Sequence, residues 1–267
     1  YKHICFAAPY IDLIEELDIK ELLDFHFSFK KLHPSISSKE ELIQLLPNYD
    51  GAVIRSKFKF TKEILDSATH LKCIGRVGAG MENIDVESAH KSGIKLISSP
   101  EGNRDSVAEH VVGMLLILMN RLFIASTEVK NGIWKREENR GDELLGKTFG
   151  IIGYGNMGKA VAKRLSGFGV PVIFHDIIPN LSDEFATQTT METLYRDADI
   201  LSLHLPLSTE TNYLIDEEFI SKMKKDFYFI NTARGKNVKT QDLVKAIKSG
   251  KIKGAALDVL EYEKASF

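Results

Sequence analysis

The stretch KTFGIIGYGNMGKAVAKRLSGFGVPVIFHD, residues 147–176, decides the fold. Its apolar run at 149–152 has the length of a buried parallel strand. Gly153, Gly155 and Gly158 follow, then a helix-period segment over 159–168 and a second apolar run over 170–174. Strand, tight turn, helix and strand in this order make a βαβ unit. Gly153 permits the tight turn, Gly155 lets a pyrophosphate approach the backbone, and Gly158 lets the helix pack closely on the strand. The first residues of the helix, with Asn156 and Met157 inside the turn, offer unpaired N–H groups to an anion. Asp176 closes the second strand eighteen residues after Gly158, where a carboxylate meets the two hydroxyls of an adenosine ribose.

A glycine-rich turn alone arises in many loops. With strand, helix and acidic terminus in register, the stretch reads as a dinucleotide site. Asp176 would repel the 2′-phosphate of NADP, and Ile177-Ile178-Pro179 adds no positive charge to receive one, so the expected cofactor is NAD.

Working outward, 267 residues suffice for two domains, and an apolar fraction of 43% supplies their cores. Lys and Arg number 35 against 37 Asp and Glu, a net charge of −2. No global field recruits nucleic acid or an anionic membrane, so the expected partner is a small molecule. Cys5 and Cys73 lie inside the apolar runs HICFA and LKCIG. They read as buried reduced thiols suited to the cytoplasm, and neither a disulfide nor a metal site is expected. The longest apolar run, 111–119, is far shorter than the roughly 20 residues that span a bilayer.

Apolar runs at 2–8, 51–54, 71–74 and 94–97 read as strands, with helical spacing at 10–25 and 62–68 between them. After the fingerprint the pattern returns: strands at 200–203, 227–230 and 254–259, helices at 216–223 and 241–249. Alternation of this kind implies parallel sheets covered by helices. The expected class is α/β, with two doubly wound parallel-sheet domains: a flavodoxin-like substrate domain over 1–100 and an NAD-binding Rossmann domain over 101–267. Residues 107–123 are apolar on nearly every face. Such a helix must be buried in a core or between subunits, and it is the candidate contact of a homodimer.

In parallel α/β sheets ligands sit beyond the carboxyl ends of strands. Arg55 and Ser56 end one strand, where an arginine grips a carboxylate or phosphate bidentately or sits in a surface ion pair. The small residues Gly78, Ala79 and Gly80 follow another, and expose backbone N–H groups or simply make a turn. Thr232, Ala233 and Arg234 follow the strand at 227–230. Asp258 ends the next strand, with Glu263 five residues on. Two carboxylates beside an arginine form a catalytic set or an ordinary ion-pair network, and spacing does not choose between them.

Taken together these segments resemble the D-isomer-specific 2-hydroxyacid dehydrogenases over nearly the whole chain. The matching motifs run in order: Arg55-Ser56, IGRVGAGMENID (74–85), SVAEH (106–110), LLGKTFGIIGYGNMGKAVAKRL (144–165), His204-Leu-Pro206-Leu, INTARG (230–235) and GAALDV (254–259). Arg55-Ser56 with IGRVGAGMENID is most similar to the phosphoglycerate dehydrogenase branch, and glyoxylate or hydroxypyruvate reductase is the alternative. A non-catalytic NAD-sensing scaffold, like the corepressors of the family, is the reading from another class, which Arg234 and Glu263 disfavour.

The resemblance implies hydride transfer between nicotinamide and C2 of a 2-hydroxy or 2-oxo acid. It gives Arg234 the substrate carboxylate and carbonyl, and Glu263 the place beside an acid–base histidine. It assigns Asp258 to the nicotinamide end of the cofactor and Pro206, Thr232 and Ala233 to the cofactor lining. Arg55, Ser56, Gly78, Ala79 and Gly80 fall to the substrate. Two departures stand out. Many relatives carry Arg-Ile at Asn156-Met157, so the pyrophosphate here relies on backbone N–H groups. The family's histidine falls some twenty or more residues beyond the Glu263 position, and the native protein is expected to continue for roughly 40 to 60 residues past Phe267. Of the histidines present, His204 and His110 carry structural or cofactor-side expectations, and His175 flanks the adenosine.

Overall fold

A computed structural model describes residues 36–263 and, as backbone, the strand at 4–6. The chain divides into two compact units, with the break between Asn103 and Arg104.

The described strands of the first unit form a parallel sheet in the order β1 (Ile4–Phe6), β2 (Gly51–Ile54), β3 (Cys73–Arg76) and β4 (Lys95–Ser98). Helices α1 (Lys39–Leu45), α2 (Lys62–Ser67) and α3 (Val86–Lys91) connect them. Polar side chains start two of the helices: Ser38 accepts the Glu41 N–H and Asp85 the Ser88 N–H, each satisfying a donor that the first turn leaves open. Leu42, Leu46, Ile54, Phe60, Ile64 and Ile74 are buried together. The strand expected at 71–74 lies two residues later. Leu71 N–H is donated to the Ala68 carbonyl within the preceding turn, and the register with β2 begins at Cys73 opposite Gly51. Cys73 is a free thiol, only partly buried. The helix expected at 10–25 lies outside the described residues, as do the side chain of Cys5 and His3, His26 and His33.

In the second unit a six-stranded parallel sheet runs β10-β9-β8-β5-β6-β7. The strands are β5 (Phe149–Ile152), β6 (Val172–His175), β7 (Thr187–Gln188), β8 (Ile200–Leu203), β9 (Phe227–Asn231) and β10 (Ile252–Leu257). In chain order within the unit this is 3-2-1-4-5-6, the order of a dinucleotide-binding sheet, with its reversal between β5 and β8. Strands β5 and β8 are buried at every position, as expected where both faces are covered. One face packs on α4 (Arg104–Met119) and α6 (Asn156–Leu165). The other packs on α7 (Met191–Asp197), α8 (Glu217–Lys222) and α9 (Thr240–Lys248). Helix α7 and the two-residue β7 have no counterpart in the elements read from the sequence.

The single helix expected over 107–123 is two: α4 ends at Met119 and α5 (Leu122–Lys130) departs at 60°. Arg121 at the elbow has φ 52, which ends helical propagation. Asn120 donates its side-chain amide back to the Leu116 carbonyl, and the Asp142 N–H donates to the Met119 carbonyl. Gly141 fits there because a Cβ would lie 2.6 Å from Asn120 Cα. Ala108, Val111, Leu115 and Met119 form the buried stripe of α4, whereas Ile117 is 48% exposed and Phe123 75% exposed. Among the described residues no single helix is long and apolar enough to cross a membrane.

Candidate active site

The reversal of strand order puts the fingerprint turn beside the end of β8, and the close contacts there are between backbones. Gly153 has φ +91, and a Cβ on it would lie 2.5 Å from the His204 carbonyl oxygen. A Cβ on Gly158 would lie 2.3 Å from the Gly153 oxygen, so helix α6 presses directly on the turn. Gly155 is different. Nothing lies within 4 Å of where its Cβ would be, and as the N-cap of α6 it makes no side-chain cap. The turn thus leaves open space and unsatisfied N–H groups around Asn156, Met157 and Gly158, the arrangement that receives a pyrophosphate.

Asp176, at the end of β6, accepts the Tyr154 N–H on Oδ2 at 2.7 Å and the Ile178 N–H on Oδ1 at 2.9 Å. His175 Nδ1 lies 3.3 Å from the Thr189 carbonyl oxygen. His204 follows β8, its Nε2 lying 2.9 Å from Ser202 Oγ. Burial pushes the imidazole down to about 4, so it is neutral at physiological pH. Pro206 follows, its carbonyl taking the Thr211 hydroxyl.

At the end of β9, buried Asn231 ties the next turn from inside. Its Oδ1 accepts the Ala233 N–H at 3.0 Å and its Nδ2 donates to the Arg234 carbonyl at 2.9 Å. Arg234 donates through Nη1 to the Ala233 carbonyl. The Thr232 Oγ1 is buried and has no hydrogen-bond partner among the described residues, a polar atom whose partner is to be sought in a ligand. Together with the open cradle at Gly155 and the fixed Asp176, it shows that this edge fits NAD.

Beyond β10, Asp258 N–H donates to the Asn231 carbonyl, and its carboxylate lies 3.4 Å from His110 Nε2. His110 therefore stands on an exposed face of α4 and faces this edge; the apolar setting expected for it does not describe its side chain. A Cβ on Gly235 would lie 1.9 Å from the Leu260 carbonyl oxygen, so the Arg234 turn and the segment carrying Glu263 touch through backbone. Glu263 is exposed, and its N–H donates to the Leu260 carbonyl.

Glu261 was not singled out from the sequence. It is a buried carboxylate that accepts the Thr240 N–H at 2.8 Å. Desolvation raises its pKa, but hydrogen bonds from Thr240, Tyr213 and Tyr262 outweigh this and leave it below the ordinary carboxylate value. A Glu-Tyr-Glu run gives no sign of which carboxylate turns inward.

In the first unit, Arg55 and Ser56 are exposed at the end of β2, and the Arg55 carbonyl takes the Asn83 side-chain amide at 2.5 Å. Gly78 has φ +126 in the turn after β3, where the Arg76 guanidinium folds over it and donates to the Val77 carbonyl. Ala79 and Gly80 beside it are partly buried. Lys57 donates its ammonium to the Ile36 carbonyl at 2.6 Å, while Lys59 is exposed.

The chain matches, over residues 112–266, the family model described as D-isomer specific 2-hydroxyacid dehydrogenase, NAD binding domain. It is 39% identical to the hydroxypyruvate reductase of Thermotoga maritima over 84% of this chain and 74% of that protein. It is also 39% identical to the D-3-phosphoglycerate dehydrogenase of Methanocaldococcus jannaschii, over 85% of this chain and 44% of that protein. Among solved structures, the D-lactate dehydrogenase of Aquifex aeolicus in complex with NAD and lactic acid superimposes with a TM-score of 0.81. It is 30% identical and covers 97% of this chain and 77% of that one.

Proposed function

The chain belongs to the D-isomer-specific 2-hydroxyacid dehydrogenase family, and from that premise we propose that Arg234 and Glu263 serve hydride transfer on a phosphoglycerate-type D-2-hydroxy acid. NAD, when bound, would supply the hydride acceptor for oxidation of the C2 alcohol to a carbonyl, and the hydroxyl proton would pass to a base. The observation that carries the reading is the single edge of the second sheet. It holds the open turn at Gly155, the Asp176 carboxylate, the unpartnered Thr232 hydroxyl and the Arg234 turn clamped by Asn231.

Arg234 is a planar, permanently charged fork on a fixed turn. It would hold the substrate carboxylate and draw charge onto the C2 oxygen as the carbonyl forms. Glu263 would keep the acid–base group protonated long enough to act and would orient it. His204, whose pKa burial holds near 4, would be a weak acceptor of that proton. Asn156, Met157, Pro206 and Ala233 would line the cofactor, with Asp258 at its nicotinamide end, and Arg55, Ser56 and residues 78–80 would meet the substrate.

Glyoxylate or hydroxypyruvate is the second substrate reading. It is favoured by Lys57, a residue suited to a substrate phosphate that spends its ammonium on a backbone carbonyl, and by the hydroxypyruvate reductase relative. Turnover of 3-phosphoglycerate against glyoxylate and hydroxypyruvate separates the two. With the better substrate, Arg234→Lys should lower kcat/KM by about a hundredfold or more while the Kd for NADH stays within about twofold. Unchanged turnover would remove Arg234 from the mechanism.

A homodimer through the α4–α5 elbow completes the proposal. Exposed Ile117, Phe123 and Ile124, with Met114, Leu118 and Ala255, line a groove of about 340 Å³, an apolar face that a second copy of the chain would cover. Light scattering of the native protein should give twice the subunit mass, and a monomer would refute the contact. The free thiol of Cys73 suits a reducing cytoplasm.

A further inference from the structure

The loop after Asp176 is held by side chains whose arrangement the cofactor reading does not require. Gln188, on β7, reaches across it with both ends of its amide. Nε2 donates to the Ile178 carbonyl at 2.7 Å and to the Asp176 carbonyl at 3.4 Å, and Oε1 accepts the Leu181 N–H at 2.9 Å. Asp183 closes the far side, its Oδ1 accepting the Phe185 N–H at 2.9 Å and the Ala186 N–H at 3.1 Å. The same oxygen accepts the Tyr154 hydroxyl at 2.8 Å.

Tyr154 belongs to the fingerprint turn, yet its ring is fully buried and stacked on Phe174 with centroids 3.7 Å apart. Burial, and then the Asp183 carboxylate, raise the phenol pKa, so the hydroxyl remains a donor. One residue thus holds the loop at two points: its N–H on Asp176 and its O–H on Asp183.

We propose that Tyr154, Asp183 and Gln188 are positioning residues that lock the Asp176 carboxylate and thereby set the preference for NAD over NADP. The proposal rests on the reading of Asp176 as the ribose contact. Each Asp176 oxygen spends one acceptor direction on a backbone N–H and keeps another for a ribose hydroxyl. A 2′-phosphate could be admitted only if the carboxylate swung aside or the loop withdrew. The first would break the bonds from Tyr154 and Ile178 to Asp176, and the second those made by Gln188 and those accepted by Asp183. A fixed negative charge discriminates against phosphate more strongly than a mobile one, because the mobile one relaxes away from it.

The test is direct binding of NADH and NADPH to the native protein, read from the fluorescence of the bound reduced nicotinamide, with no turnover required. Gln188→Ala removes three hydrogen bonds from the loop. Tyr154→Phe keeps the stacked ring and loses only the bond to Asp183, so it remains informative should Gln188→Ala fail to fold. Asp176→Asn is the control. It should narrow the ratio of the NADPH to the NADH Kd at least tenfold, and an unchanged ratio would overturn the ribose reading itself. Given that change, Gln188→Ala should narrow the ratio by about three- to tenfold and Tyr154→Phe by a smaller factor. If both affinities fall in equal proportion, or neither changes, the residues only hold the loop together and the proposal is wrong.

Discussion

Glycine-rich turns follow a parallel strand in both units, at residues 78–80 after β3 and at 153–158 after β5, and they are built against different walls. Each holds a glycine at positive φ, Gly78 at +126 and Gly153 at +91. Around Gly78 the space of a Cβ is occupied by the far end of the Arg76 side chain. Around Gly153 it is occupied by the His204 backbone, which is itself fixed by the bond from His204 N–H to the Ile152 carbonyl. A side chain can turn away at small cost; a strand end in the middle of a sheet cannot. The first glycine is required by backbone conformation alone, the second by conformation and by topology together.

Paired substitution is the strongest way to break this contrast. Gly153→Ala should cost roughly 3 kcal/mol in urea unfolding and abolish NADH binding, through strain at positive φ and collision with backbone. Gly78→Ala should cost only about 1 kcal/mol and leave the Kd for NADH unchanged, since Arg76 can move. Equal costs would show that Arg76 is as immobile as the strand.

A smaller effect tests the wall itself. The folded His204 titrates near 4 against an ordinary 6.5, so between those values the unfolded chain takes up a proton that the folded one refuses. Stability therefore falls as pH drops from about 6.5 towards 4, and this contribution is absent above 6.5. In His204→Gln the pH slope of the unfolding free energy across that window should be shallower by up to about 1.4 kcal/mol per pH unit, one proton's worth. An unchanged slope would mean that His204 is hydrated and that the wall beside Gly153 is looser than its geometry.

Much of the second unit was legible because its signals are local. The run at 149–152, the three glycines and Asp176 lie within thirty residues, and their spacing already fixes a strand, a turn and a helix start. The strand at 200–203 was found at its observed bounds for a similar reason, a continuous apolar run buried on both faces. The helix over 107–123 misled because hydropathy records apolar content and is silent on the left-handed residue that ends a helix. Arg121 carries no glycine-like mark, and the elbow is held by Gly141 and Asp142 from another part of the chain.

The same limit applies to the candidate site. Arg234 could be named from INTARG, but the clamp that orients its turn is the amide of Asn231, and the segment beside it is seated by buried Glu261 on Thr240. Asp258 could be placed at a strand end, whereas its neighbour His110 comes from a helix begun some 150 residues earlier.

By itself the sequence determined the alternation of strands and helices, the dinucleotide fingerprint and the resemblance that pointed to a dehydrogenase, because periodicity and short-range spacing are properties of contiguous residues. Only the tertiary structure decided which atoms wall in the glycines, which carboxylate is buried and which side chains hold Asp176. Those outcomes depend on the reversal of strand order between β5 and β8, which brings together backbones about fifty residues apart.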